Sequence, residues 1–166
     1  MIISDNLWLN SNDSINSKKE DLFMRILFCT GGSEKSENAI RTATSLATKL
    51  GAEATVLSVG PSHALIDKML GAEFRMSEVT IDTDRAVTRN TSKYAESGAK
   101  ILKKAGINAV AKTARVEIAD EILREVESGN YDFIVVSAKG KPGDRRLLGS
   151  NTRKVLAKAK IPVYVV

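Results

Sequence analysis

One cysteine, Cys29, and one histidine, His63, stand in the 166 residues of this chain, and each scarcity removes a class of chemistry. A lone thiol forms no internal disulfide and suits a reduced compartment. A lone histidine gives no support to a histidine-based metal site or a Ser–His–Asp triad. Aromatic residues make up 5% of the chain, and none interleaves with a basic run, so no surface for stacking single-stranded nucleic acid is indicated. No apolar run approaches the length of a membrane span. Met1, Ile2 and Ile3 are followed at once by Ser4, Asp5 and Asn6, which is not the pattern of a signal peptide. The expectation is a cytoplasmic protein, with neither a membrane nor nucleic acid as its partner.

What is present is an ordinary globular composition, 43% hydrophobic and 27% charged, in a length that suits one domain with a real core. The net charge of +5 is spread among acids along helix faces, apart from a basic cluster between Lys139 and Arg146. Residues 1–22 differ from the rest. Asn, Ser, Asp and Lys dominate from Asn10 to Asp21, which predicts a flexible N-terminal extension ahead of a domain over 23–166. Within it, Leu7-Trp8-Leu9 reads either as an anchor on the domain or a partner subunit, or as part of a plain tail.

From Met24 the pattern is regular. Arg25 to Cys29 is a short apolar strand ended by Thr30-Gly31-Gly32-Ser33. Ser33 is a candidate N-cap, with Glu34 and Glu37 in the first turn where the helix dipole favours acids. Ala39, Ala43, Leu46, Ala47 and Leu50 then follow at helical spacing, up to Gly51. Ala54 to Val59 is a second strand, closed by Gly60-Pro61. Ala64 to Leu70 reads as a short helix and Gly71 to Ile81 as a loop, a long connection of the kind used for lids or interfaces. A second long helix carries Val87, Thr91, Tyr94, Gly98 and Ile101 on one face. Asn108 to Val116 is a third strand, and Ile118, Ile122, Leu123 and Val126 mark a helix closed by Gly129-Asn130. Asp132 to Val136 is a doubly buried strand. Thr152, Val155, Leu156 and Ala159 form a last helical stripe before the strand from Pro162 to Val166.

This alternation of strand and helix implies a parallel sheet with helices on both faces and right-handed crossovers. In such sheets ligands sit at the carboxyl ends of the strands, where strand order reverses. That singles out the glycine-rich loops after the first and fourth strands. Phosphate binding needs converging backbone N–H groups and benefits from a helix N-terminus aimed at the anion. Gly140, Gly143 and Gly149 supply small residues in the second loop, Gly149-Ser150-Asn151 open the last helix, and Lys139, Lys141, Arg145 and Arg146 add positive charge. Glycine-rich loops also occur simply as turns.

The run from Val135 to Val166, with its strand, glycine loop, Leu147-Leu148-Gly149-Ser150, helix and Ile161-Pro162-Val163-Tyr164-Val165-Val166 ending, resembles the C-terminal signature of universal stress proteins. Arg25 to Leu50, including Gly32-Ser33-Glu34, is similar to that family's first strand and helix. The resemblance implies a doubly wound five-stranded parallel sheet with helices on both faces, of the adenine nucleotide alpha hydrolase-like kind. It further implies a homodimer through the C-terminal strand. The family's ATP-binding branch carries G-x2-G-x9-G-[S/T], against which Gly140 matches the second glycine and Gly149-Ser150 the closing pair. Ser137 stands where the first glycine would be, the spacer from Lys141 to Leu148 is one residue short, and Gly31 replaces the aspartate after the first strand.

By that resemblance ATP or a related nucleotide, with Mg²⁺, would lie against Ser137, Gly140, Gly143, Gly149, Ser150 and Asn151. Thr30, Gly31, Gly32 and Ser33 would form the opposite wall, and main-chain groups around Val59 would meet the base. The reading is a stress-response sensor or switch without efficient catalysis. The rival is a dimeric interaction module without nucleotide, acting through an unidentified protein partner. No acid–base constellation for hydrolysis is evident, so no residue is assigned a catalytic role. His63 reads as a loop residue, Cys29 as a small core residue, and Asp82 and Asp84 as helix-capping rather than metal-binding.

Overall fold

A computed structural model describes residues 23–71, 78–138 and 148–166. The extension 1–22, Gly140, Gly143 and the basic cluster from Lys139 to Arg146 lie outside the described residues. Along the chain run β1 (Arg25–Thr30), α1 (Glu34–Lys49), β2 (Glu53–Gly60), α2 (His63–Leu70), α3 (Glu78–Lys104), β3 (Ala109–Arg115), α4 (Ile118–Gly129), β4 (Phe133–Val136), α5 (Ser150–Lys158) and β5 (Val163–Val165). The strands form one parallel sheet in the order β3-β2-β1-β4-β5. This is the doubly wound α/β architecture that the sequence predicts.

Strand alternation builds the two cores. Ile26 and Phe28 on β1, Ala54 and Val56 on β2 and Val135 on β4 face α1 and α3, where Ile40, Ala43, Ala99 and Leu102 meet them. Leu27, Leu57, Val59, Ile134 and Val136 point the other way, against Ala119, Ile122 and Val155 of α4 and α5. Phe28 and Leu27 are wholly buried on opposite sides. Each such side chain contributes roughly 1.5–3 kcal/mol through its removal from water. Gly98 lets α3 lie close to the sheet, since a Cβ there would meet Ile40 Cδ1 and Val56 Cγ1 at 2.8 Å.

Local chemistry sets the ends. Ser33 caps α1 by accepting from the Ser36 amide at 3.2 Å, and α1 stops where Gly51 turns to φ +60°. Asn130 rather than Gly129 takes the left-handed position after α4. Two expectations change between β2 and β3. Residues 78–81, read as loop, already belong to α3, and Asp82 and Asp84 lie inside that helix rather than capping it. Residues 78–81 form the largely exposed first turn of a 27-residue helix that α2 contacts.

Candidate functional site

The strand order reverses between β1 and β4, because β2 and β3 lie to one side of β1 and β4 and β5 to the other. Ligands of doubly wound sheets occupy the crevice at that point. The β1–β4 pairing ends at Phe28↔Val135, after which Thr30 leads to α1 on one face and Ser137 to α5 on the other. On the far side of β1, β2 continues to Gly60, two residues past Ser58, the partner of Thr30. The main chain of Val59 and Gly60 therefore stands beside the β1 turn without a β1 partner.

The β1 turn is built from hydroxyls and glycines. Thr30 Oγ1 is buried; it donates to Ser36 Oγ at 3.2 Å and accepts from the Gly32 amide at 3.2 Å. Ser33 Oγ lies 3.2 Å from Ser36 Oγ, which itself donates to the Ser33 carbonyl at 2.8 Å. This network locks the entry to α1 while its first N–H groups, which have no intrahelical acceptor, point towards the carboxyl edge of the sheet. Gly32 needs to be glycine twice over, for its φ of +72° and because a Cβ would run into the Tyr94 ring. Gly31, in contrast, has nothing within 4 Å of a Cβ position.

Across the crevice, Ser137 is half-buried at the end of β4 and its carbonyl accepts from Thr152 Oγ1 at 2.9 Å. The Ala138 amide donates to the Val166 carbonyl at 2.7 Å, and the Gly149 amide to the Ala138 carbonyl at 2.8 Å. These bonds fasten the start of α5 to the end of β4. They also assign the Gly149 N–H to the protein itself, so the amides of Ser150, Asn151 and Thr152 are the ones a helix start leaves for an anion. Gly149 is the N-cap and makes no side-chain cap. Ser150 is exposed and Asn151 half-buried.

A third group of residues closes the edge beyond β2. Arg115, the last residue of β3, lies opposite Gly60 in the sheet. Its Nε donates to the Pro61 carbonyl at 2.7 Å, one Nη to Thr88 Oγ1 at 2.6 Å, and the other to Asp84 Oδ1 at 2.6 Å. His63 Nδ1 stands 2.9 Å from the same carboxylate oxygen, with its side chain 74% exposed. His63 is thus the first residue of α2 rather than a loop residue, and Asp84 is an ion-pair partner rather than a cap. Sequence reasoning gave Arg115 no role and read Tyr94 only as part of a helix face. The only signal for Arg115 was its place, a cation at the carboxyl end of a strand.

Cys29 packs against the α4 and α5 face of the sheet. Burial, and then the Glu125 charge, push its thiol up, which favours the protonated form. This agrees with a packing role. Among the described residues, no group of three or more His, Cys, Asp or Glu side chains is arranged to hold a metal, and no helix is long and apolar enough to cross a membrane.

A single parallel sheet, wound on both faces and open at one switch-point crevice, defines a Rossmann-like α/β domain. The chain belongs to the universal stress protein family, whose model matches residues 22–166. It is 29% identical to the universal stress protein YxiE of Bacillus subtilis (strain 168) over 147 residues, covering 87% of this chain and 99% of that one. The fold matches universal stress protein UspA from Lactobacillus plantarum with a TM-score of 0.72 and 19% identity, over 87% of this chain and 97% of the other. It also matches the universal stress protein from Archaeoglobus fulgidus in complex with dAMP, with a TM-score of 0.59 and 20% identity, over 87% and 98%.

Proposed function

We propose that this universal stress protein binds an adenine nucleotide, ATP or a related one with Mg²⁺, in the crevice between β1 and β4, and acts as a sensor or switch without efficient turnover. The observation that carries the reading is the convergence of three main-chain surfaces on that crevice: the Thr30–Ser33 turn, the Val59–Gly60 end of β2, which has no partner on β1, and the start of α5 at Ser150. The dAMP complex of the Archaeoglobus relative supports the choice of ligand class. Phosphates would lie at the Ser150 and Asn151 amides, with Gly140 and Gly143 completing their loop. The base would meet the main chain of Val59. A cytoplasmic protein paired through β5 fits the same reading.

A second reading has one observation in its favour. At Gly31 the chain presents open space where the family's ATP-binding branch has a carboxylate. On that reading the domain acts as a dimeric interaction module on an unidentified protein partner, with half-exposed Tyr164 on the edge strand β5.

Titration calorimetry of nucleotide-stripped protein with Mg-ATP separates the two, with Gly149→Asp as control. Aspartate is a good N-cap, so the substitution leaves stability equal or a few tenths of a kcal/mol higher. It also places a negative charge at the α5 start, which weakens phosphate binding by about tenfold or more. Saturable binding lost in the variant supports the crevice. Native protein without heat or thermal shift at millimolar ATP leaves the interaction module.

A further inference from the structure

The Arg115 guanidinium joins three separate pieces of chain. It comes from the end of β3, reaches the β2–α2 turn through the Pro61 carbonyl, and reaches α3 through Asp84 and Thr88. Its exposure is 18% and that of Asp84 is 23%, so the pair is largely withdrawn from water. Neutralising Asp84 would require only one of those bonds. Gripping a neutral main-chain carbonyl and a hydroxyl as well requires the planar fork of arginine, whose five donors sit in fixed directions. Gly60 is part of the same arrangement. A Cβ there would collide with Thr91 Oγ1 at 2.5 Å and crowd Arg115 Cδ at 3.1 Å, so glycine at the strand end makes room first for Thr91 of α3 and then for the arginine.

The residue that is held matters more than the ion pair. Pro61 follows directly on Val59 and Gly60, the two residues of β2 that outrun β1 and border the crevice. A strand end lacking a neighbour on one side is free to fray, and the peptide after it is where fraying begins. His63 beside Asp84 ties the first residue of α2 to the same anchor. We propose that Arg115, held by Asp84 and Thr88, is a positioning residue that holds the Val59–Pro61 main chain in the geometry needed to receive a base. It touches no phosphate, and its effect on binding runs through the Pro61 carbonyl. This rests on the nucleotide reading above and adds to it the residue that sets selectivity for base-bearing ligands over bare polyphosphate.

The test compares two ligands on the full chain. Mg-ATP engages both the base wall and the α5 start, whereas Mg-tripolyphosphate engages only the latter. In Arg115→Met the affinity for ATP should fall by about tenfold while that for tripolyphosphate stays within twofold of native. Arg115→Lys, which keeps the charge but loses the fork, should recover less than half of the loss on a logarithmic scale. Hydrogen exchange at the amides of residues 60 and 62–66 should speed up in Arg115→Met without a matching change in α5. Equal losses for the two ligands would identify Arg115 as a general stabiliser, and an unchanged ATP affinity would show that the turn holds itself; either overturns the proposal while leaving nucleotide binding intact. Native protein that binds no ATP overturns the nucleotide reading and this one with it. If Arg115→Met does not accumulate as folded protein, Asp84→Ala and Thr88→Val carry the same comparison. Each should cost ATP alone about threefold, and no selective loss in either overturns the proposal.

Discussion

Gly32 and Tyr94 share one space: the Tyr94 ring, on α3, fills the volume that any side chain at Gly32 would need. The first turn of the crevice is thereby shaped by a residue 62 positions later in the chain. The ring closes the space at Gly32, and the Thr30 hydroxyl ties the turn through Ser36 Oγ and the Gly32 amide.

Gly32→Ala should therefore be costly for two reasons, a left-handed φ of +72° and the collision with Tyr94. A loss of about 2–4 kcal/mol in denaturant unfolding is expected. Adding Tyr94→Ala should recover the steric part and leave the backbone part. The double variant should then be less destabilised than the sum of the two single ones. Additive losses would show that the ring does not constrain the turn.

Gly31→Asp is expected to behave in the opposite manner. Nothing lies within 4 Å of the new Cβ, and Gly31 is not among the positive-φ positions. Stability should stay within about 0.5 kcal/mol of native. On the nucleotide reading proposed above, the carboxylate would reach the nucleoside, and a charged hydrogen bond of roughly 1.5 kcal/mol corresponds to about tenfold tighter adenosine binding. Titration with adenosine checks this without contribution from the phosphates. Unchanged affinity would place the nucleoside elsewhere.

At the opposite end of the sheet, Tyr131 has a pH signature. Its hydroxyl donates to Glu125 Oε1 at 2.6 Å, and the same oxygen accepts from Lys112 Nζ at 2.6 Å. Burial first, and then this hydrogen bond, push the phenol up to about 12. A value raised in the folded state favours the protonated form, so the contribution to stability is complete below the ordinary phenol value of about 10. It is lost as pH rises from there through about 12. Tyr131→Phe should be about 1 kcal/mol less stable at neutral pH, through the lost bond to Glu125. The difference from native should shrink across that alkaline window, as followed by urea unfolding at successive pH values. A difference independent of pH would mean that Tyr131 ionises normally.

Much of the architecture was legible in the chain because it follows from local burial. The run Phe133–Val136, apolar at every position, announced a strand covered on both faces, and Ser33 with Glu34 and Glu37 announced the start of α1. Residues 78–81 were misread as loop because Thr80, Asp82 and Asp84 look like turn or capping residues in isolation. They belong instead to a 27-residue helix that α2 contacts, and Asp84 there has a partner at Arg115, 31 residues away. The Gly149-Ser150 pair was correctly placed at the start of α5. Which amide remains available there was not legible, since the Gly149 N–H is taken by Ala138, on the far side of the loop.

By itself the sequence determined the alternation of elements, the Ser33 cap of α1 and the doubly wound class. These depend on periodicity and on side chains within a few positions of one another, which act over distances the chain sets directly. Only the tertiary structure decided that β2 outruns β1 by two residues, that Tyr94 closes on Gly32, and that Arg115 grips Pro61. Those relations bring together segments many residues apart. Their geometry is set by how sheet and helices pack as whole bodies, through close contacts that no local pattern in the chain encodes.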